Sequence, residues 1–539
     1  MTVACLDEPI LGWLRGARFV HVRWIWYIAG MNLCSRLEGV AGTQPKSTAL
    51  VFRGEKLSYE HLCEKVRRCA AGLSRLGVKR GDRFALMMRN SPDFVIIYYA
   101  LVRLGAIAVP INFLLRPVEA EYILRHCGAM GAATQSQFLP ALREAVRGLP
   151  DLEHIVCCDD AEDDGVLPFQ DLLADSSDDP GISSCAEDVA CILYTSGTTG
   201  KPKGVMLTHK NLLSNVDSCD KAIDIRRDDV FMCLLPMFHT LAWTACVVLP
   251  LAIGCSTVIV ESIQPFKNVA VQARRHGVTV FIAVPPVFSA MSRLPFWRPL
   301  KFLIPFRLCV SGAAPLPLGV LERFENKFGV PLLEGYGLTE ASPVVSLSST
   351  EGARRPGTVG LELPNVEVRI VQADGDEAGQ GEVGEICVRG PNVMLGYFDD
   401  PEATREAIDA DGWLHTQDLG KRGPDGHIEI VDRAKDLIIV KGLNVYSREV
   451  EDVLLRHPDV AEAAVIGVPN DSGDEIVKAF VVPKDDRTVE KSELMNLCRD
   501  GLAPYKWPKD VVLASFLPKN SIGKILKREL KEDAGAPVS

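Results

Sequence analysis

The sequence has no excess of positive charge and no cysteine pair at metal-ligand spacing. Its 539 residues carry 59 Lys and Arg against 70 Asp and Glu, a formal net charge of −11. This balance argues against a general nucleic-acid binder, which concentrates basic residues on one surface. The 16 cysteines include no C-x-x-C pair, and the 10 histidines add no ligand spacing. A disulfide framework or a zinc site is therefore disfavoured, and reduced, mostly buried thiols in a cytosolic protein are expected.

Long apolar runs are also missing. Residues 230–260 contain no Asp, Glu, Lys or Arg, but two prolines, a histidine and a glycine divide them into a loop, a buried helix and a strand. Residues 1–30 mix arginine with tryptophan, and their apolar stretches are too short for a spanning helix. We interpret them as an extension upstream of a domain that starts near Met31, and leave a peripheral membrane anchor open. We expect no transmembrane span and a cytoplasmic location.

The chain is too long for one hydrophobic core and is expected to divide into several domains. A helix is predicted over 58–76, capped by Ser58, and another over 93–104. Short apolar strands alternate with such helices, as in parallel α/β units. The predicted strands are Arg83–Met88, Ile107–Pro110, Val278–Val284, Leu308–Ser311 and Val330–Glu334.

The character of the sequence changes after residue 356. Short strands separated by Gly and Pro indicate a β-rich subdomain, and a small α/β unit begins at Leu437. Several of the earlier strands lead into loops rich in Gly or Pro, such as Gly335-Tyr336-Gly337. Ligands of open α/β sheets gather at the carboxyl ends of strands, so these loops are candidate binding sites.

A glycine-rich loop gives the strongest local signal. Residues 194–204 read YTSGTTGKPKG and follow the apolar strand Val189–Leu193. Glycines let the backbone turn sharply, while hydroxyls, amides and two lysines offer hydrogen bonds and positive charge to phosphates. The loop is not a Walker A motif, because Gly-x4-Gly-Lys-Ser/Thr is absent. A surface turn would not need this combination, so a phosphate-binding loop is predicted.

Four further motifs follow the loop in order. They are EGYGLTE at 334–340, WLHTQD at 413–418, DRAKD at 432–436 and NSIGK at 520–524. Together the five motifs resemble the adenylate-forming superfamily of acyl-CoA synthetases, peptide-synthetase adenylation domains and beetle luciferases. Gln417 departs from that pattern, since glycine is common at its position.

The resemblance covers roughly residues 45–530 and implies an α/β fold in two parts. Residues 31–434 should form a large N-terminal domain of α/β sheets that includes the β-rich subdomain. Residues 435–539 should form a small, mobile C-terminal α/β domain.

The resemblance implies an ATP-dependent acyl-CoA synthetase. A free carboxylate resists nucleophilic attack, whereas a mixed anhydride with AMP has a good leaving group and can pass its acyl group to coenzyme A. ATP, coenzyme A and a carboxylic acid would be substrates, and Mg²⁺ the cofactor. Because two anions must be brought together, electrostatic stabilisation should dominate catalysis.

The resemblance also assigns an ATP site. Tyr336 should stack on adenine, Asp418 should accept hydrogen bonds from both ribose hydroxyls, and Arg433 should support the same sugar. The assigned residues are Thr195, Ser196, Gly197, Thr198, Thr199, Gly200, Lys201, Lys203, Gly312, Ala313, Ala314, Glu334, Gly335, Tyr336, Gly337, Thr339, Asp418, Arg433 and Lys524.

Catalytic roles are expected for Lys524, Glu340, Thr195 and His239. Lys524 would place a cation between the substrate carboxylate and the α-phosphate. Glu340 would hold Mg²⁺, which needs few protein carboxylates when it binds ATP oxygens, and Thr339 would contact phosphate. Taken alone, Lys524 reads as a solvated lysine in a charged tail, so its position in the NSIGK motif carries the assignment.

The two half-reactions need a rearrangement of the site, because pyrophosphate leaves on one face and a thiol enters on the other. The family rotates its C-terminal domain, and Lys435 occupies the hinge position. In the second pose, Lys441, Gly442 and Leu443 would line the tunnel for coenzyme A.

The acid is less well determined than the reaction. His239 and Trp243 resemble the wall and gate of an acyl pocket, although a lone tryptophan more often belongs to a core. The uncharged segment 230–260 suits an apolar chain. A medium- or long-chain fatty acid is the first choice, and an aryl or cinnamate-like acid is the second.

Two other readings and the assembly stay open. The chain could adenylate acids for a separate carrier protein, or be a non-catalytic nucleotide-binding or membrane-associated protein. The sequence leaves the oligomeric state undetermined, a homodimer included.

Overall fold

A computed structural model describes most of the chain. The described residues are 31–160, 165–174, 179–195, 201–263, 267–293, 305–349, 354–470, 475–484, 487–520 and 523–534. The extension at 1–30 and the loop residues 196–200 therefore lie outside the described residues.

The helices begin where the sequence supplies a cap. The helix predicted over 58–76 starts after Ser58, whose side chain accepts a hydrogen bond from the His61 N–H, and it buries Leu62 and Val66. The α-helices are α1 (Leu33–Thr43), α2 (Tyr59–Arg75), α3 (Pro92–Arg103), α4 (Pro117–Cys127), α5 (Leu139–Val146), α6 (Phe169–Leu173), α7 (His209–Ala222), α8 (Leu249–Ile253), α9 (Lys267–Arg275), α10 (Pro285–Arg293), α11 (Leu318–Phe328), α12 (Pro401–Ala407), α13 (Ser447–Leu454), α14 (Lys491–Gly501) and α15 (Lys527–Asp533).

The segment Leu241–Val248, just before α8, is a π-helix. Short 3₁₀ turns occur at Ser136–Phe138, Thr339–Ala341, Ala434–Asp436 and Pro504–Lys506.

Strands occupy most of the remaining regular structure. In chain order they are β1 (Thr48–Phe52), β2 (Glu55–Ser58), β3 (Arg83–Met87), β4 (Ile107–Pro110), β5 (Ala129–Thr134), β6 (His154–Cys157), β7 (Leu167–Pro168), β8 (Val189–Thr195), β9 (Lys203–Thr208), β10 (Val230–Cys233), β11 (Ser256–Ile259), β12 (Val280–Ala283), β13 (Leu308–Ser311), β14 (Leu332–Gly337), β15 (Val344–Leu347), β16 (Leu361–Glu362), β17 (Glu367–Val371), β18 (Gly384–Arg389), β19 (Gly396–Tyr397), β20 (Leu414–Arg422), β21 (Ile428–Arg433), β22 (Ile438–Val440), β23 (Leu443–Val445), β24 (Val460–Pro469), β25 (Glu475–Pro483) and β26 (Asp510–Leu513).

Two large sheets with parallel centres form the N-terminal part of the fold. One has the order β16-β15-β14-β13-β12-β10-β11-β1-β2, and the other β19-β9-β8-β4-β3-β5-β6-β7. The central strands are buried on both faces, as parallel strands covered by helices usually are. The expected α/β architecture is therefore confirmed.

An antiparallel sheet, β17-β18-β20-β21, follows and confirms the β-rich subdomain. The C-terminal part has the sheet β24-β25-β26 and the hairpin β22-β23. It packs α13 and α14 around a separate apolar core that includes Ile438, Val465 and Leu494. These features confirm a small C-terminal α/β domain.

Two details differ from the sequence reading or add to it. Gly335-Tyr336-Gly337, expected as a loop, continues β14 and pairs with β15 in antiparallel register. Among the described helices, none is both long and apolar enough to cross a bilayer.

Candidate active site

The ends of β13 and β14 form one wall of the candidate site. These strands pair in parallel with Ser311 opposite Glu334, so Gly312 and Gly335 follow side by side. A side chain at Gly337 would collide with the backbone carbonyl of Pro343, so only glycine fits there. The wall is therefore closely packed against the segment that precedes β15.

Tyr336, Asp418 and Arg433 form a hydrogen-bonded cluster at this wall, which we call the nucleotide cluster. Asp418 and Arg433 face each other on β20 and β21, with Arg433 Nε 3.1 Å from Asp418 Oδ1. Tyr336 Oη donates to Asp418 Oδ2 at 2.8 Å. Burial and the neighbouring Asp418 raise the pKa of Tyr336 well above its ordinary value. The phenol therefore stays protonated and acts as a hydrogen-bond donor.

A bulge in β20 presents Asp418 to the cluster. Opposite β18, the ladder places Cys387 against His415 and Glu385 against Leu419, so β20 carries extra residues between these pairs. Gln417 lies in this bulge with a φ of +59°, a conformation that glycine adopts more readily. Its backbone N–H donates to Glu385 Oε1 at 2.8 Å, which holds the bulge in place.

Lys524 reaches the same cluster from the C-terminal part of the chain. Its N–H donates to Asn520 Oδ1 at 2.9 Å, which closes a turn before α15. Gly523, at a φ of +81°, packs against Pro286 of α10. Burial lowers the pKa of Lys524 to about 8, with Arg433 adding to the shift and Asp418 opposing it. The charges of Arg433 and Asp418 therefore act on the Lys524 ammonium group.

Glu340 is half-buried and lies beside the strand β19. Tyr397 Oη donates to Glu340 Oε1 at 3.1 Å, and Lys203 Nζ lies 5.1 Å from the centre of the Tyr397 ring. Burial raises the pKa of Glu340. Thr339 accepts a 3.1 Å hydrogen bond from the hydroxyl of Thr240. Tyr397 was missed from the sequence, because β19 is a two-residue strand whose pairing with β9 leaves no periodic signal.

The phosphate loop is described only at its ends. Thr195 ends β8 and faces Lys203 of β9, while the Lys201 side chain is exposed. The loop residues that lie outside the described part of the chain are Ser196, Gly197, Thr198, Thr199 and Gly200.

The Glu334 side chain is hydrogen-bonded to the backbone just after the Gly312-Ala313-Ala314 segment. Its Oε1 accepts the N–H of Leu316 at 3.0 Å, and burial raises its pKa to about 7. Ala313 has a φ of +66°, so this short loop is strained for a residue with a side chain. Contact of these residues with ATP stays a prediction.

His239 and Trp243 lie next to each other but in different surroundings. His239 packs on Phe238 with ring centres 4.5 Å apart, and burial lowers the pKa of His239 to about 4, so its ring is neutral. Trp243 belongs to the π-helix and is fully buried, with its ring centre 4.1 Å from that of Tyr98. The indole is thus part of the core in this arrangement, and its gating role stays a prediction.

The predicted hinge and tunnel residues lie near the start of the C-terminal part of the fold. Lys435 sits in the 3₁₀ turn Ala434–Asp436, and its carbonyl accepts a 3.3 Å hydrogen bond from Lys531 Nζ. Lys441 and Gly442 form the turn between β22 and β23, at φ values of +50° and +79°. Leu443 is 50% exposed, so this turn faces solvent.

The fold and the site define an adenylate-forming acid–thiol ligase. The model of the AMP-binding enzyme family matches residues 37–398, and that of the AMP-binding enzyme C-terminal domain matches residues 449–524. The chain belongs to the AMP-binding enzyme family.

Named relatives and solved structures agree with this assignment. The chain is 34% identical to a long-chain-fatty-acid–CoA ligase of Salmonella typhimurium, over 94% of this chain and 95% of the relative. It is 35% identical to 4-coumarate–CoA ligase 3 of Oryza sativa subsp. japonica, over 90% of this chain and 88% of the relative. The crystal structure of the anthranilate CoA ligase AuaEII with anthranoyl-AMP superimposes with a TM-score of 0.86 at 30% identity, covering 94% of this chain and 97% of that chain.

Proposed function

We propose that the chain converts a medium- or long-chain fatty acid to its coenzyme A thioester, with Lys524 as the adenylation lysine. The observation that carries this proposal is the position of Lys524 near Asp418 and Arg433, although it belongs to a loop more than a hundred residues from Asp418 along the chain. A lysine in a solvated tail has no reason to be desolvated beside the positive charge of Arg433, whereas a lysine that meets two substrate anions does.

In the first half-reaction, an oxygen of the carboxylate attacks the α-phosphorus of ATP and pyrophosphate leaves. Negative charge accumulates between the carboxylate and the phosphate, and the Lys524 ammonium group would stabilise it. Asp418 would hold the ribose through its two oxygens, after Tyr336 and Arg433 have fixed the carboxylate's orientation.

Mg²⁺ would be held by Glu340. The donor set fits this ion, because one carboxylate, joined through Tyr397 to Lys203, leaves the other coordination positions to phosphate oxygens and water. When bound, Mg²⁺ would neutralise charge on the phosphates. Tyr397 would keep the Glu340 carboxylate oriented, since its hydroxyl donates to one carboxylate oxygen.

In the second half-reaction, the sulfur of coenzyme A attacks the acyl carbon and AMP leaves. We infer that the residues from 435 onward rotate about Lys435 between the two steps, so that Lys441, Gly442 and Leu443 replace Lys524 at the site. The exposed turn at these residues supports the inference, because half of the Leu443 surface is open to solvent in the present arrangement.

The choice of a fatty acid rests on the uncharged segment 230–260, which is predicted to line the acyl pocket. Residues 230–260 carry no charge, and Leu241 of the π-helix packs against Gly312. Such a wall suits an acid without a second charged group. The relative named as a long-chain-fatty-acid–CoA ligase supports the same choice.

An aryl or cinnamate-like acid is the second candidate. The ring of Phe238 packs on His239 and meets Phe113 edge-on with ring centres 5.4 Å apart, which provides aromatic surface beside the predicted gate. The relative named 4-coumarate–CoA ligase and the anthranilate CoA ligase structure support this alternative.

A panel of acids tests the proposal. Purified protein is incubated with ATP, Mg²⁺ and octanoate, palmitate, 4-coumarate, benzoate or malonate, with and without coenzyme A, and AMP, pyrophosphate and thioester are measured. We expect coenzyme A-dependent AMP formation to be fastest with a fatty acid and absent with malonate. A preference for 4-coumarate would select the second candidate. Pyrophosphate release without thioester would indicate a separate carrier protein as acceptor.

We also propose a cytoplasmic location. The described cysteines are free thiols and most are buried, which suits a reducing compartment. Fractionation of cells that express the full chain tests this, and recovery with the membranes would indicate a peripheral anchor instead.

A further inference from the structure

Three potential metal ligands meet on one face of the sheet β17-β18-β20-β21. Glu385 and Cys387 are two residues apart on β18, so their side chains point to the same face. His415 of β20 lies directly opposite Cys387 in the ladder. The cross-strand pairing therefore brings a carboxylate, a thiol and an imidazole together, although their spacing along the chain matches no metal-binding motif.

The three potential ligand atoms lie close together. His415 Nδ1 lies 3.6 Å from Cys387 Sγ and 3.0 Å from Glu385 Oε2, and all three atoms lie within 4.8 Å of one another. In a tetrahedral zinc site with Zn–S of about 2.3 Å and Zn–N of about 2.1 Å, the sulfur and nitrogen are about 3.6 Å apart. The Cys387–His415 pair already has this separation, and a carboxylate oxygen of Glu385 lies within 4.8 Å of both ligand atoms.

A carboxylate also lies behind the histidine, at ion-pair distance. Asp409 Oδ2 lies 3.7 Å from His415 Nε2, the ring nitrogen that faces away from the other ligands. Asp409 is itself held by the N–H groups of Asp411 and Trp413, each 2.9 Å from its Oδ1. A carboxylate behind a ligating histidine commonly orients the ring and raises its basicity.

The cluster is partly open to solvent. Cys387 is 1% exposed, whereas the side chains of His415 and Glu385 are 34% and 29% exposed. An ion can thus reach the ligands, and water can complete the coordination. Thiolate and imidazole ligands favour zinc and similar ions over Mg²⁺, which prefers oxygen ligands alone.

We propose that Glu385, Cys387 and His415 bind one zinc ion, with Asp409 orienting His415. The Cys387 thiol releases its proton to solvent as the Zn–S bond forms. Glu385 would coordinate through Oε2, because its Oε1 accepts the Gln417 N–H. The ion would therefore fix the bulge of β20 from the side opposite to Asp418.

By fixing the bulge of β20, the ion could also affect nucleotide binding at Asp418, and this effect rests on the proposed function. Metal binding itself does not depend on it. Cobalt absorption separates the two, because it reports ligation without turnover. The reduced, metal-free full chain is titrated with Co²⁺ and then with Zn²⁺. We expect one equivalent of Co²⁺ to give visible bands of tetrahedral cobalt and a near-ultraviolet thiolate-to-cobalt band, which Zn²⁺ abolishes stoichiometrically while excess Mg²⁺ does not.

The variants are chosen to identify the ligands. Cys387→Ser should remove the thiolate band and weaken Co²⁺ binding about 100-fold, while Cys185→Ser, which alters an exposed free thiol, should leave both unchanged. Glu385→Gln keeps an acceptor for the Gln417 N–H and should still weaken binding about 10-fold, so it remains informative should Cys387→Ser fail to fold.

Two results would overturn the site. One is a titration without a thiolate band, and the other is a band that survives in Cys387→Ser or in Glu385→Gln at unchanged affinity. The cobalt spectra alone decide the metal site. A change in ATP turnover in the ligand variants would concern only the effect of the ion on the nucleotide cluster.

Discussion

Tyr336 Oη donates a 2.8 Å hydrogen bond to Asp418 Oδ2, and this bond joins the end of β14 to the bulge of β20. It connects the residue predicted to stack on adenine with the residue predicted to hold the ribose. Asp418 is 4% exposed, so the bond is made in a poorly hydrated place and fixes the carboxylate before nucleotide arrives. The site is thus preorganised by its own side chains.

Removal of that hydroxyl should weaken ATP binding. Tyr336→Phe keeps the ring but leaves Asp418 without one donor, and a hydrogen bond to a charged group contributes about 1.5–3 kcal/mol. We expect the KM for ATP to rise about 10-fold with a smaller change in kcat. Tyr505→Phe, which alters a tyrosine of the C-terminal part, serves as the control. An unchanged KM in a folded Tyr336→Phe protein would contradict the role of the cluster in holding the nucleotide.

Lys524→Ala should abolish adenylation far more than thioester formation. The ammonium group acts while charge builds up at the α-phosphate, and a preorganised donor of this kind typically contributes about 100- to 1000-fold in rate. The two steps are measured separately, by pyrophosphate release and by transfer of the acyl group from supplied acyl-AMP to coenzyme A. Lys519→Ala is the matched control, because Lys519 lies in the same loop and pairs with Glu462. Equal loss of both steps would refute the assignment.

The pH dependence of adenylation should follow the charge of Lys524. Because burial lowers the pKa of this lysine to about 8, its ammonium form predominates at neutral pH and is lost as the pH rises through 8. The rate should therefore fall above pH 8. Lys524→Arg keeps its charge at alkaline pH and should give a slower but flatter profile. Parallel profiles for the two proteins would mean that another group causes the fall.

Lys435→Pro should separate the two half-reactions. A proline restricts the backbone at the turn Ala434–Asp436, and a domain rotation needs a few residues there that change their dihedral angles. We expect pyrophosphate release to stay within a few-fold of the parent rate, while thioester formation falls at least 10-fold. Lys435→Ala removes the side chain without restricting the backbone and should support both steps. Full overall turnover in Lys435→Pro would rule out this hinge.

The local chemistry of the chain made much of the fold predictable. Ser58 was predicted as the cap of α2 and caps it in the structure. The apolar runs at Ile107–Pro110 and Leu308–Ser311 form strands with the predicted bounds. Gly335-Tyr336-Gly337 was misread as a loop, because its antiparallel partner β15 lies beyond the 3₁₀ turn and glycine-rich sequence gives no sign of pairing.

The contacts within the site were less predictable than its members. The sequence motifs identified Tyr336, Asp418 and Lys524 as candidates. The hydrogen bond between Tyr336 and Asp418, however, depends on a bulge in β20, and Gln417 is the one sequence feature that indicated it. The cluster of Glu385, Cys387 and His415 arises from strand register alone, and register is set by pairing between distant segments rather than by residue type.

Exchange of labelled pyrophosphate into ATP, measured without coenzyme A, tests the account most directly. It reports the reversible formation of an acyl-adenylate, the step for which Lys524 and the nucleotide cluster are proposed to exist. We predict exchange that depends on a fatty acid such as palmitate and that falls at least 100-fold in Lys524→Ala but not in Lys519→Ala. Absence of acid-stimulated exchange across fatty, aryl and dicarboxylic acids would contradict it.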